Sequence, residues 1–393
     1  MGWIVEPSAN NASMGLDGSA TAFGCSPSEP LLLSDSPRSR VRGFFPRPRL
    51  PCGPLPGTPY APYGAEMNTF LSGIQSSGQL HLGNYFGAMR QHIASQDEEG
   101  EHFYFIADYH ALTSTRDPEV LRENVRELAV GYMALGLDPE RVAFFRQSDV
   151  PEVTELTWLL STVTGMGLLE RAHSYKDKMA HGIKPVVGLF TYPILMAADI
   201  LAYDSTIVPV GKDQVQHLEM AQDMAGYFNS TYGEVFVRPE ARLPESGKMA
   251  RVPGLDGEKM SKSYGNGLWI FEEGKALKKA VGRIVTDSRA PEEPKDPEGV
   301  LLFDFLSLFL ESGELEEWGE RMRAGGDGAP GYGHLKVRLI EAIDEHFGPA
   351  RERRRELLAD PAEVDRALAL GAEKARARAS ITRDRALMAC GLR

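Results

Sequence analysis

The chain has 393 residues, 42% hydrophobic and 25% charged, which leaves room for two globular domains and a sizeable core. No run of 18 apolar residues occurs and the N-terminus lacks the basic and apolar regions of a secretory signal, so a membrane protein is not indicated and the cytoplasm is the expected place. Cys25, Cys52 and Cys390 stand too far apart to suggest a disulfide framework or a cysteine zinc site.

Residues 1–66 are rich in Pro, Gly, Ser and Arg and hold no sustained period of 2 or 3.6, which predicts disorder. Met67 directly precedes the first strand pattern, TFLSGI, so translation is expected to start there. Apolar runs at 69–74, 103–107 and 142–145 then predict strands. Between the last two lies a helix with Asp117 at its N-cap, Pro118 at the first position, and Leu121, Val125, Leu128 and Tyr132 on one face. A fourth strand, TIVPVG at 206–211, leads into a helix carrying Val215, Leu218, Met224 and Phe228. Strands alternating with helices predict a parallel sheet covered on both faces, whose ligands bind beyond the strand C-termini.

After about residue 268 the pattern becomes helical: LLFDFLSLFL, a run from His334 to His346, and a final Arg- and Ala-rich stretch, with a loop at 290–299. The expected division is therefore an α/β domain at 67–267 and a helical domain at 268–393. The net charge of -12 disfavours a nucleic-acid partner across the whole surface, yet a local basic face suffices for one. The candidate face comprises Arg351, Arg353, Arg354, Arg355, Lys374, Arg376, Arg378 and Arg383. Its plain alternative is a set of solvated helix faces paired with nearby acids.

Two segments carry chemistry. The first strand ends in SGIQSSGQLHLGNYFGAM, a Gly- and Ser-rich turn before a helix that begins near Gly83. Such a turn presents free N–H groups to phosphate, and His81 and Asn84 could donate to phosphoryl oxygens. Downstream, Lys259-Met260-Ser261-Lys262-Ser263 follows the turn Gly254-Leu255-Asp256-Gly257. Two lysines on that loop could neutralise a departing pyrophosphate; an isolated Lys-x-x-Lys is more often an exposed basic loop.

HLGN and KMSKS together resemble the two signatures of class I aminoacyl-tRNA synthetases. The segments SGIQSSGQLHLGN, ADYHALT, SDVPEVTEL, YKDK, TYPILMAADIL, VPVGKDQ, IVTDS and GYGHLK resemble the bacterial tryptophanyl-tRNA synthetases from Met67 to Arg393. The resemblance implies a Rossmann-like catalytic domain and a C-terminal helical domain that reads the tRNA anticodon. It also implies activation of tryptophan by ATP with Mg²⁺, and transfer to the 2′-hydroxyl of tRNA(Trp) in a homodimer. By the same resemblance ATP meets Gln75, Ser76, Ser77, Gly83, Asn84, Gly211, Lys212, Asp213, Val252 and the loop Lys259, Met260, Ser261, Lys262 and Ser263, with Lys176 and Lys178 reaching the phosphates. Lys259, Lys262, Lys178, His81 and Asn84 would carry the catalysis.

Asp199 would accept the indole N–H. Tyr192, Met196, Val208 and Val210 would wall the ring, with His110 and Gln214 at the polar end of tryptophan. Core packing is the plain reading of Met196 and the two valines, whereas an acid inside ILMAADILAY is a poor choice for a core. Three positions depart from the family pattern: Leu71 where Phe is common, His81 where the subgroup has Thr, and Ser76 where Pro is common. The rival readings are a tyrosyl-type synthetase, a catalytically silent paralogue that binds RNA, and a small nucleotidyltransferase.

Overall fold

In the computed structural model, residues 67–76, 78–172, 186–211, 214–243, 252–262 and 264–393 are described. The expectation of disorder for 1–66 falls outside them. Five parallel strands form one sheet in the order β3-β2-β1-β4-β5: β1 (Thr69–Ile74), β2 (Glu101–Ile106), β3 (Ala143–Arg146), β4 (Ile207–Pro209) and β5 (Glu240–Arg242). β1 pairs with β2 from Thr69↔Glu101 to Ile74↔Ile106, and with β4 at Phe70↔Ile207. The chain grows outward from β1 to one side and then, through β4, to the other. The switch point therefore lies between β1 and β4.

Both faces of the sheet are buried, and strand alternation sorts residues between two cores. Phe103, Phe105, Ala143, Phe145, Leu71 and Val208 face one core; Tyr104, Ile106, Phe144 and Ile74 face the other. On the first face lie α5 (Glu152–Ser161), α6 (Met166–Glu170), α7 (Val187–Leu201) and α8 (Val215–Tyr232). On the second lie α1 (Leu82–Asn84), which continues through a π-helical turn into α2 (Arg90–Ser95), and α4 (Pro118–Ala134). The short α3 (Asp108–Ala111) follows β2. Asp117 caps α4 as the sequence predicts, accepting from Glu119 N at 2.8 Å and Val120 N at 3.3 Å.

The region after 267 is helical. It contains α9 (Gly274–Gly282), α10 (Leu301–Leu306), α11 (Ser312–Ala324), α12 (Tyr332–Ala359) and α13 (Pro361–Ala389). These helices share the sheet's cores. Leu277, Leu306, Leu335 and Phe347 join the second core beside Leu128 and Tyr132. α13 crosses from one core to the other around the β3 edge: Val364, Ala367 and Leu368 sit in the second core, Ala372, Ala375, Ala379 and Ala386 in the first. Gly371 lies at the crossing, where an added Cβ would fall 1.9 Å from the Phe144 carbonyl oxygen. Small residues let the helix reach the backbone of an edge strand that would otherwise invite foreign pairing.

The basic face inferred for the C-terminal region is not free, because its side chains are fasteners. Buried Arg351 donates to the Ile270 carbonyl at 3.1 Å and pairs with Asp344, and Arg354 pairs with Glu127 at 2.8 Å. Arg353 and Arg355 meet Glu356 and Glu273, each at 2.9 Å, and Lys374 reaches the Glu140 carbonyl at 3.0 Å. Arg376 and Arg383 converge on buried Glu152 at 3.2 and 3.7 Å, and Arg378 donates to the Tyr203 carbonyl at 3.2 Å. The paired-helix reading is the one the structure supports. Among the described residues no helix is long and apolar enough to cross a membrane.

Gly371→Ala should drive a methyl group into the β3 backbone and destabilise the protein by about 3 kcal/mol or more. Urea unfolding should show it as a lowered midpoint, whereas Ala→Gly at exposed sites of α13 should cost about 1 kcal/mol each.

Candidate active site

The two signature segments meet through a short antiparallel ribbon. Leu82 N donates to the Leu268 carbonyl at 2.9 Å, Ile270 N donates to the Leu80 carbonyl at 3.0 Å, and His81 bridges Trp269 between them. This places the KMSKS loop over the turn that leaves β1. An added Cβ on Gly78 would lie 3.8 Å from Lys262 Nζ, and one on Gly83 would lie 3.6 Å from Met260 Cβ. Gly78 has φ +77°, a conformation that glycine adopts without strain.

His81 is the N-cap of α1. Its Nδ1 accepts from Asn84 N at 3.2 Å, while the Asn84 Oδ1 accepts from His81 N at 3.0 Å. This reciprocal cap takes up one acceptor atom of each side chain, so the donors expected to meet phosphate are His81 Nε2–H and Asn84 Nδ2–H. The Nδ1 acceptor role puts the neutral ring's proton on Nε2, which is the atom that can donate. Burial, then the fields of Lys262 and Lys259, lower the His81 pKa to about 4, so the ring is neutral at pH 7.

Asn266, which sequence reasoning does not single out, organises the loop. It is 3% exposed, its Nδ2 donates to Asp256 at 2.8 Å and to the Lys259 carbonyl at 3.2 Å, and its Oδ1 accepts from Ser261 N at 2.8 Å. One carboxamide thus fixes the backbone on both sides of Met260. Gly254 leaves it room: a Cβ there would stand 2.3 Å from Asn266 Nδ2. Met260 and Val252 are buried in the core beneath the loop, where their side chains anchor it. Lys259 is exposed and Lys262 half-buried. Ser76, just past β1, has a buried hydroxyl without a partner among the described residues, beside half-buried Gln75. Gly211 follows β4, and its carbonyl accepts from Gln214 N at 2.9 Å. Ser77, Lys176, Lys178, Lys212, Asp213 and Ser263 lie outside the described residues.

A second cluster gathers beyond β2 and β3. Asp199 on α7 is 1% exposed; Gln147 Nε2 donates to its Oδ1 at 2.9 Å and its Oδ2 at 2.8 Å, and His110 Nε2 lies 2.9 Å from Oδ2. Burial raises the Asp199 pKa, against the opposing pull of these two partners. Gln147 also accepts from Tyr109 N at 3.1 Å, tying α3 to the carboxylate. The Tyr192 ring stands edge-on to His110 with centroids 6.3 Å apart, and its hydroxyl meets His217 Nε2 at 2.7 Å. His110, Tyr192 and Asp199 are thus brought together, joined by Gln147 and His217, which carry no sequence signal. Met196, Val208 and Val210 are buried in the first core and Gln214 is fully buried at the N-cap of α8.

Asn266→Ala should release the loop while leaving the fold intact. Loss of a buried hydrogen-bonding hub of about 1 to 3 kcal/mol predicts a roughly 5- to 100-fold fall in kcat/KM for ATP, read by steady-state kinetics with the amino-acid KM little changed. As pH falls, the unfolded chain protonates at His81 first, near 6.5, so the stability contributed by this group is complete above that value and drains away toward pH 4. Urea unfolding at pH 7.5 and 5 should show wild type losing more stability on acidification than His81→Asn.

Comparison with known proteins matches the geometry. The family model for class I tRNA synthetases (W and Y) covers residues 65–348. The tryptophan–tRNA ligase of Rhodopirellula baltica is 56% identical over 323 residues, 82% of this chain and 99% of that protein; the Campylobacter jejuni ligase is 51% identical over 306 residues, 78% and 94%. A crystal structure of the C. jejuni tryptophanyl-tRNA synthetase complexed with ADP and tryptophan superposes with a TM-score of 0.78 at 49% identity, covering 82% of this chain and all of that one. A tyrosyl-tRNA synthetase from Archaeoglobus fulgidus, 19% identical with a TM-score of 0.54, shares the fold. A ribbon-joined HLGN turn and KMSKS loop at the end of a parallel sheet, in a chain with these relatives, make this protein a member of the class I tRNA synthetases of the tryptophan and tyrosine group.

Proposed function

We propose that this chain is a tryptophan–tRNA ligase that first forms tryptophanyl-adenylate and pyrophosphate from tryptophan and ATP, and then esterifies tRNA(Trp). The observation that carries this reading is the pairing of the phosphate-facing turn and loop with a buried acceptor, Asp199. Three contacts from Gln147 and His110 occupy three of the carboxylate's roughly four lone-pair positions. One position remains for a single ring N–H. That acceptor penalises phenylalanine, which has no donor to offer it; a phenol O–H could also donate to it, so the choice of tryptophan over tyrosine is supported by the tryptophan–tRNA ligase relatives, 56% and 51% identical.

The tryptophan carboxylate attacks the α-phosphorus in line, with bond breaking to pyrophosphate on the far side. Lys259 and Lys262, with Lys178, meet the charge on the leaving pyrophosphate, and neutral His81 donates through Nε2. Gln75, Ser76, Ser77, Gly83, Asn84, Gly211, Lys212 and Asp213 form the nucleotide's surroundings, and Tyr192, Met196, Val208, Val210, His110 and Gln214 those of the amino acid. No side-chain nucleophile is required, so positioning and electrostatics supply the rate. Mg²⁺ belongs with the ATP phosphates and arrives on the nucleotide. There it would screen phosphate charge.

The second step transfers tryptophan to the 2′-hydroxyl of the terminal adenosine, with the helical region from 268 onward reading the anticodon. A homodimer fits the exposed apolar side chains Trp158, Met166 and Val187 on α5, α6 and α7, the first two helices each packing on the third. The cytoplasm is where such a substrate is met.

ATP–pyrophosphate exchange across the twenty amino acids tests the reading. Tryptophan alone should support exchange, Asp199→Ala should lower kcat/KM for tryptophan roughly 10- to 100-fold through its lost acceptor, and Lys259→Ala should act on kcat. Exchange with tyrosine would move the chain to the neighbouring specificity, and none at all would mark a silent RNA-binding paralogue.

A further inference from the structure

The basic side chains that the sequence offers as a nucleic-acid face are taken up by ion pairs and carbonyl oxygens, so a polyanionic substrate must find its cations elsewhere on a chain of net charge -12. Helix α9 supplies them. Leu277, Ala280 and Val281 bury one side of it in the core that also holds Leu255 and Met260. Lys275, Lys278 and Lys279 are exposed on the other side at i, i+3 and i+4. Among the described residues none of the three has an acidic partner. Of the acids just ahead of the helix, Glu273 is already held by Arg355 at 2.9 Å. Arg122 and Arg126, which also have no ion pair among the described residues, differ in kind: they border a cavity of about 570 Å³ shared with Asp108, Asp149 and Asp365, whose carboxylates offset them.

The helix is fixed to the catalytic loop. Arg283 Nη2 donates to the Gly265 carbonyl at 3.0 Å, Val285 N donates to the Leu255 carbonyl at 3.0 Å, and Lys336 Nζ clasps the Gly282 and Ile284 carbonyls at 2.8 and 3.1 Å. Three adjacent like charges weaken a helix and contribute nothing to this packing. They stand on a helix fastened to a loop that a nucleic acid must approach to receive the amino acid.

We propose that Lys275, Lys278 and Lys279 form a docking surface for the phosphate backbone of the tRNA near the end that is esterified. The inference rests on the reading of the chain as a tRNA ligase. Its three ammonium groups contact phosphates, carry no base preference, and position the strand for the adenylate while leaving adenylate formation untouched.

The test uses the full chain and two assays that separate the steps. The triple variant K275Q/K278Q/K279Q, which keeps good helix formers at all three positions, should catalyse tryptophan-dependent ATP–pyrophosphate exchange within twofold of wild type. In aminoacylation its KM for tRNA should rise tenfold or more at 0.1 M salt, and the slope of log KM against log salt should fall by about 2 to 3, near 0.9 per lost phosphate contact. Lys278→Glu alone should give an intermediate KM and serves if the triple variant unfolds. An unchanged tRNA KM and salt slope in a variant with normal exchange would overturn the docking surface. Absence of exchange in the wild type would instead overturn the ligase reading.

Discussion

The active site depends on three residues of backbone pairing with three others. Leu80–Leu82 and Leu268–Ile270 form the ribbon that holds the KMSKS loop over the turn after β1, although these segments are far apart in the chain. Without it Lys262 would have no fixed relation to His81, and the two signatures would be separate loops. The hydrogen bonds are few, yet they are flanked by buried side chains on both sides: Leu80, Leu82, Leu268 and Ile270 all belong to one core. Burial makes the pairing costly to open, because each freed N–H or carbonyl would be left without water. The ends of the loop thereby stay put, an arrangement suited to a site that must bind a triphosphate and release pyrophosphate at every turnover.

A division of labour follows for charged side chains. Arginines of α12 and α13 hold the helical region to the sheet, and they do so with acids drawn from other elements: Glu127 on α4, Glu152 on α5, Glu101 on β2 and Asp204 after α7. The guanidinium fork suits this work because it can meet a carboxylate and a carbonyl at once, as Arg378 does with Asp204 and Tyr203. The lysines of α9 are instead left as compact charges on an exposed helix face. In the second cluster charge is managed differently again: Asp199 is isolated from solvent and oriented by the Gln147 carboxamide and the His110 imidazole, giving an acceptor of defined direction.

Much of this was legible in the residues. β1 to β4 announce themselves as apolar runs because strands of a parallel sheet are buried on both faces, and Asp117-Pro118 marks the start of α4. β5 does not: Glu-Ala-Arg on an edge has no apolar signal. The helix α7 was hidden by Pro193 in its middle, although packing on α5 and α8 holds it helical through Leu201. Lys259, Lys262, His81 and Asp199 could be found from motifs and from the oddity of an acid in an apolar run. Gln147 and Asn266 could not, since a carboxamide earns its role from four hydrogen-bonding positions that only folding brings into range. The Arg- and Ala-rich end misled for the same reason: the acids that neutralise it include ones more than 200 residues away in sequence, such as Glu152, 224 residues before Arg376, so no local pattern reveals them.

That long separation has a consequence for how the chain is made. α13 covers the β3 edge and completes both cores, and Arg376 and its partner Glu152 emerge from the ribosome 224 residues apart. At roughly 5 to 20 residues per second, β3 and the apolar flanks of α5 wait on the order of 10 to 45 seconds for their cover. During that interval the nascent protein exposes an unpaired strand edge, the feature that chaperones guard and that unfinished polypeptides keep. A ribosome that stalled anywhere before Gly371 would leave the β3 edge uncovered.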